Sequence, residues 1–296
     1  MKTSGIFTVH KYQIKVKNKD KPIYIRPFSD VHRTSYNCNE EAWLAWIKES
    51  KERLKTHQTY FIGLGDYIDL ISSSEKNHFY SRDIHATTKF AFGEMVRHKL
   101  RQFCEEINFT KDYLIGLGNG NHYHDMMSGI NSDQYLCEML GTKYLGVASF
   151  IRLLFEYKPR TNVKLDIFLH HGLGASSTAS SVRKMEELIK WVKADIYLMG
   201  HDHRIFNFPK MSIELTDGIG GLRIQEKIHY FIRVGGFLNS YSPNEKYDYN
   251  VNVCRNPLIL GAPEIEVKLN RVTRLNDKRG GVKRRDRVIP QVRVTT

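Results

Sequence analysis

The sequence predicts an α/β fold, and three observations predict it. Short apolar runs of strand length alternate with longer amphipathic stretches of helix length. The runs stop at the same kind of residue, an Asp, Asn or His beside a turn-forming Gly or Ser. With 296 residues, 41% of them hydrophobic and 26% charged, the chain can bury one large core or two small ones.

The elements follow in order. Residues 22–29 (PIYIRPFS) read as a strand that stops at Asp30-Val31-His32. A helix is expected over Glu40–Leu54, with Trp43, Leu44, Trp46, Ile47 and Leu54 on one broad face. Thr59–Leu64 reads as a buried strand ending at Gly65-Asp66, and residues 71–84 as an irregular excursion. A second helix is expected over His85–Ile107, with Phe92, Val96, Phe103 and Ile107 inward. Asp112–Leu117 is a strand stopping at Gly118-Asn119-Gly120-Asn121-His122. Val163–Leu169 is another, stopping at His170-His171-Gly172. A helix over Ser181–Lys193 then leads to a strand, Asp195–Met199, which ends at Gly200-His201-Asp202-His203. From Arg204 to Leu269 the chain carries short β-like runs such as Ile228–Val234 and Glu264–Leu269, punctuated by Gly235-Gly236 and Ser242-Pro243-Asn244. From Asn270 no apolar periodicity is evident, and the segment is expected to be a loosely held arm. The simplest organisation is one compact domain, 1–269, with a basic C-terminal extension, 270–296.

Charge is concentrated at the ends. Residues 1–30 hold seven Lys/Arg against two Asp, and residues 268–296 hold ten against two. The net charge of +13 therefore belongs to the two ends, and the body between them is neutral. Basic ends of this kind can attract nucleic acid through counterion release, or simply keep the chain soluble. No run of about 18 apolar residues suggests a membrane span, and no apolar signal core is present. Cys38, Cys104, Cys137 and Cys254 are scattered and form no C-x-x-C pair. A cytoplasmic protein with free thiols is expected. The oligomeric state is not legible.

The strand ends carry the chemistry. Polar residues at the carboxyl ends of buried strands sit where α/β sheets place their sites. One buried histidine is usually a core residue; five separate strand ends bearing Asp, Asn or His are not explained that way. Hard carboxylate oxygens, borderline imidazole nitrogens and a neutral amide oxygen together suit Mn, Fe, Zn, Ni or Co better than Ca or Mg. With no cysteine in the set, a closed structural zinc site is disfavoured.

Asp30-x-His32, Gly65-Asp66-x-x-Asp69, Gly120-Asn121-His122, His171-Gly172 and Gly200-His201-x-His203 occur in that order over residues 30–203. In this the chain resembles the calcineurin-like metallophosphoesterase superfamily, and its length is similar to that of the small phage and bacterial members. The resemblance implies a four-layer α/β/β/α sandwich with two central mixed sheets and a dinuclear metal site at the strand ends. It implies a first metal held by Asp30, His32 and His203, a second held by Asn121, His171 and His201, and Asp66 bridging the two. It assigns His122 the catalytic role of protonating the leaving oxygen or steadying the transition state, and manganese fits first among the candidate cations. Asp69 is expected to orient a ligand.

The chain also departs from the pattern. After His122 the third block continues Tyr123-His124-Asp125, so the acid that would orient His122 is missing or displaced to Asp125. Gly65-Asp66-Tyr67-Ile68-Asp69 is similar to the protein serine/threonine phosphatases, but Leu70-Ile71 replaces their Arg-Gly, which disfavours that substrate class. The expected activity is hydrolysis of a phosphoester, first a phosphodiester of nucleic acid or a nucleotide. A phosphomonoesterase on a small substrate and a catalytically silent binding scaffold are the alternatives. Residues 71–89 and the loop Gly174–Ser181 are candidates for substrate contact, with polar surface loops that bind nothing as the first alternative.

Overall fold

A computed structural model describes residues 7–69, 85–126, 129–158, 161–172, 177–218, 221–241, 256–278 and 281–296. Two six-stranded mixed sheets face each other. The first runs, in sheet order, β1 (Thr8–Lys15), β6 (Ala148–Lys158), β7 (Thr161–His170), β8 (Ile196–Met199), β10 (Gly221–Val234) and β9 (Ile205–Gly218). The second runs β12 (Gly281–Thr295), β11 (Glu264–Lys278), β2 (Ile23–Phe28), β3 (Thr59–Gly63), β4 (Leu114–Gly118) and β5 (Tyr144–Gly146).

Period-two alternation decides which layer each side chain joins. Ile196 and Leu198 of β8 enter the core between the sheets, where they meet Ile25 of β2 and Ile62 of β3. Tyr197 and Met199 point the other way, toward Met185 and Leu188 of α4 (Thr178–Leu188). On the far side of the second sheet, Phe28 and Phe61 pack under α1 (Glu40–Thr56), α2 (Ala86–Ile107) and α3 (Ser132–Leu140). The result is the four-layer α/β/β/α sandwich.

The helix ends have local causes. Asn39 caps α1 by accepting from the Ala42 N–H at 2.8 Å, Glu40 and Glu41 occupy its first turn, and Arg53 and Lys55 its last. Asn131 caps α3 in the same way, and Gly141 closes it in the left-handed region at φ 64°. Of the residues expected on the inward face of α1, Leu44 is exposed, because the Trp43–Trp46 stack against Phe28 already fills that layer.

Several expectations are corrected. The segment after Asn270 is not a loose arm. β11 and β12 form a continuous antiparallel ladder from Glu264↔Thr295 to Lys278↔Gly281, and β11 joins β2 at Ile265↔Ile25. Val288, Val292 and Val294 pack against the inter-sheet core, so an apolar alternation is present but is masked by the basic residues interleaved with it. Of the short runs expected after Arg204, Ile228–Val234 is the second half of β10 in a long hairpin, β9–β10, and Glu264–Leu269 is the first part of β11. Strands β1, β5 and β6 and helix α3 had no counterpart in the expected elements. β1 in particular lies in the basic N-terminal stretch and is held parallel to β6. Among the described residues no helix is long and apolar enough to cross a membrane.

Candidate metal centre

The loops after β2, β3, β4, β7 and β8 converge at one end of the sandwich. Asp30 and His32 follow β2, Asp66 and Asp69 follow β3, Asn121 and His122 follow β4, His171 follows β7, and His201 and His203 follow β8. β2, β3 and β4 run parallel to one another, as do β7 and β8, so within each sheet their carboxyl ends lie together.

The backbone is strained at this point and, among the described residues, nowhere else outside glycine. The positive-φ residues other than glycine are Asp30, His32, Asp66, His201 and His203, with φ between 46° and 71°. All five are expected ligands. Left-handed backbone costs a non-glycine residue free energy and persists where surrounding structure holds it for a purpose.

Two glycines make the convergence sterically feasible. A Cβ on Gly120 would lie 2.0 Å from Asp66 Oδ1, and one on Gly200 would lie 2.7 Å from Asp30 Oδ2. Backbone must therefore pass directly against both carboxylates.

Two ligand groups that share no residue result, Asp30, His32 and His203, and Asp66, His171 and His201; a third cluster of candidate ligand atoms, His32, Asp69 and His122, shares His32 with the first. Asn121 Oδ1 joins the second group, 2.9 Å from His171 Nε2 and 2.6 Å from His201 Nδ1. Asp66 Oδ2 lies between the groups, 3.1 Å from His171 Nε2 and 3.8 Å from His32 Nε2. The other oxygen of Asp66 accepts from the His122 N–H at 2.9 Å, which fixes the orientation of the carboxylate.

The donor set fits divalent cations. Asp30 Oδ1 and His32 Nε2 are buried and have no hydrogen-bond partner, although a buried polar atom in that state is costly. His203 Nε2 stands 3.6 Å from Asp30 Oδ1, beyond hydrogen-bond length but within the spacing of ligands sharing one ion through bonds of about 2.0–2.2 Å. His171 donates from Nδ1 to the Leu64 carbonyl at 2.9 Å, which turns Nε2 toward the site.

Without metal the groups titrate unusually. Burial works against a charged His171, but the Asp66 carboxylate outweighs it and raises the ring to about 9. Asp66 is correspondingly held far below the usual carboxylate range: burial opposes this, but the bond and charge of His171 and the charges of His32 and His122 prevail. Burial lowers His203 to about 4, so this ring is neutral and able to ligate near pH 7.

The open choices in the sequence are resolved by contacts. Asn119 is turned away from the site: its amide donates to the Gly120 carbonyl, and its oxygen accepts from Asn131 and from the Tyr144 hydroxyl. His170 accepts from the Gly172 N–H at 2.7 Å and belongs to neither ligand group. The acid beside His122 is Asp69, not Asp125. Asp69 Oδ1 accepts from His122 Nδ1 at 3.0 Å while its Oδ2 accepts from His32 Nδ1 at 3.3 Å. Asp125 is exposed, and its backbone pairs with Asn131. Of the expected substrate contacts, residues 71–84 and 174–176 lie outside the described residues. His85 caps α2, and Ser177 caps α4.

Sequence reasoning missed the supports behind the site. Arg233 is completely buried; its Nη1 donates to the Gly200 carbonyl at 2.6 Å, and its Nε lies 3.5 Å from Asp202. Asp202 also accepts from the Ser181 hydroxyl and from the Arg204 N–H. This pair anchors the turn that carries His201 and His203. Asp133, at the start of α3, accepts from the Gly120 N–H at 2.9 Å, and burial raises its carboxyl to about 6. One signal was legible: Arg233 is the lone Lys or Arg in the apolar run Ile228–Val234, and such a residue needs a buried anion.

No family model matches the chain, and no curated protein matches it. Among solved structures it is similar to the calcineurin-like phosphoesterase YfkN of Bacillus subtilis, at 11% identity and a TM-score of 0.30, over 71% of this chain and 90% of that one. It is also similar to the NAD nucleotidase NadN of Haemophilus influenzae, at 12% identity and a TM-score of 0.36, over 94% of this chain. The chain spans about half the length of that nucleotidase, 51%. In the order of its five blocks and in the sandwich that brings them together, the chain resembles the calcineurin-like metallophosphoesterases.

Proposed function

We propose that the chain is a dinuclear metal-dependent phosphoester hydrolase, and that its substrate class is the phosphodiesters of nucleic acids or nucleotides. The observation that carries the hydrolase reading is Asp66 Oδ2, which stands between two ligand groups that otherwise share no residue. Divalent cations in the two groups, manganese first among the candidates, supply Lewis acidity toward a phosphoryl group and lower the pKa of water beside it.

The chain's own residues do the rest. His122 is half-buried at the rim, edge-on to His32 at a ring distance of 4.8 Å. With Nδ1 donating to Asp69, its Nε2 is the nitrogen that exchanges a proton with a leaving alkoxide. Asp69 holds both His32 and His122, so one carboxylate sets the ligand and the proton donor in a fixed relation.

The diester part of the reading rests on the net charge of +13 and its placement at the chain ends. The basic hairpin does not fold over the metal ligands. β11 runs antiparallel to β2, so the Lys278–Gly281 tip is directed away from the end of β2 that leads to Asp30. A polyanion drawn to that hairpin would be held at a distance from the site, as a long polymer can be and a small ester cannot.

The test is hydrolysis of bis-p-nitrophenyl phosphate beside p-nitrophenyl phosphate with added manganese, and Asp66→Asn as the control. Diester turnover that the variant abolishes supports the proposal. A preference for the monoester transfers it to a small-substrate phosphatase, and two bound metals without turnover of either ester transfers it to a binding scaffold.

A further inference from the structure

The β9–β10 hairpin has its polarity reversed. Met211, Ile213 and Leu215 of β9 alternate along one face, and Leu222, Ile224 and Ile228 of β10 share it through the pairs Ile228↔Met211 and Ile224↔Leu215. These six side chains are between 50% and 73% exposed. The intervening residues Glu214, Gln225 and Lys227 are half-buried and, with Glu226 and Ile228 from the other face, border an open cleft of about 1130 Å³. A sheet face open to water normally shows the opposite arrangement, apolar in and polar out.

The ribbon also reaches beyond its sheet. β10 pairs with β8 only from Tyr230 to Arg233, so the strand pairing of residues 221–229 is with β9 alone, and β9 is the last strand. Because β10 runs parallel to β8, whose carboxyl end leads to His201, this ribbon points away from the metal ligands.

We infer that two copies of the chain pair through this apolar face of the β9–β10 ribbon. The area suits such a pair. The six side chains leave on the order of 600 Å² of apolar surface open, at the upper limit of what a monomer normally exposes. Two such faces packed together bury about 1,200 Å², the lower end of a stable protein interface. A single patch that meets its own copy closes with two-fold symmetry and needs no second surface. The stripe runs along the length of the ribbon, and Glu226 lies on the same face opposite Ile213. An anionic side chain in mid-stripe and a lengthwise layout disfavour insertion into an acidic lipid surface.

The experiment is sedimentation of the full chain across a micromolar dilution series, beside Leu215→Lys/Ile224→Lys and the milder Ile213→Ser. Wild type is expected at twice the monomer mass and the double variant at monomer mass. Turnover of the diester should be unchanged, since neither position is near the ligands. Ile213→Ser, which adds no charge, should weaken association about tenfold and decides the matter if the double variant does not fold. A wild-type monomer at every concentration overturns the inference. So does a double variant that remains dimeric, and so does a monomer that floats with phosphatidylglycerol vesicles.

Discussion

Replacing Gly120 by alanine tests whether the bridging position of Asp66 makes the site. The new Cβ would fall 2.0 Å from Asp66 Oδ1 and 2.3 Å from the Asp66 backbone nitrogen. Real contacts of this kind begin near 3.0 Å, so at least about 1 Å of separation must open, a displacement that can cost on the order of 100-fold in catalysis. The loop cannot simply swing aside, because the Gly120 N–H is tied to buried Asp133 and the His122 N–H to Asp66 itself. Metal sites tolerate ligand errors of about 0.2 Å. Gly120→Ala should therefore lose at least one metal per chain by elemental analysis, and diester turnover should fall about 100-fold while far-ultraviolet circular dichroism remains native. Gly93→Ala is the matched control, since nothing lies within 4 Å of its Cβ in α2. It should raise stability by about 1 kcal/mol and leave the metals alone. A Gly120→Ala protein with two metals and ordinary turnover would refute the bridging role of Asp66.

Three further outcomes follow from the same contacts. His122→Ala should retain both metals, because its ring belongs to the Asp69 pair rather than to the bridging carboxylate, and should lose turnover about 100- to 10,000-fold; an empty site would reverse this division of roles. In metal-free protein, the raised pKa of His171 contributes stability that is complete below about 6.5 and is lost as pH climbs through about 9, up to about 3 kcal/mol in all. Thermal melts in chelator should fall across that window, and metal addition at pH 7.5 in weak buffer should release a proton that His171→Gln does not. Arg233→Met should cost about 1–3 kcal/mol, because buried Asp202 loses one of its two cations and keeps the Arg204 guanidinium at 3.4 Å, and adding Asp202→Asn should recover part of the lost melting temperature. A double variant no better than the single one would show that Asp202 is not the partner that matters.

The residues that build the site were legible because their signal is local. A strand that stops at Asp-x-His, or at Gly-His-x-His, announces a polar turn at its carboxyl end whatever surrounds it, and five such turns on neighbouring strands must meet. The α/β class and the packing of Trp43, Trp46, Val96 and Phe103 followed from periodicity in the same way. What the tertiary structure alone decided depends on partners distant in the chain. Asn131 and Tyr144 hold Asn119 away from the ligand group. Asp69 rather than Asp125 orients His122, across 53 residues. Arg233 finds Asp202 only once β10 lies beside β8. The basic segment after Asn270 became β structure because its valines reach a core that β2 and β7 build, and strand pairing between distant segments leaves no mark on composition. The outward apolar face of β9–β10 is of the same kind. Alternation in sequence shows that a strand has two faces, and only the sheet on which it lands decides which of them meets water.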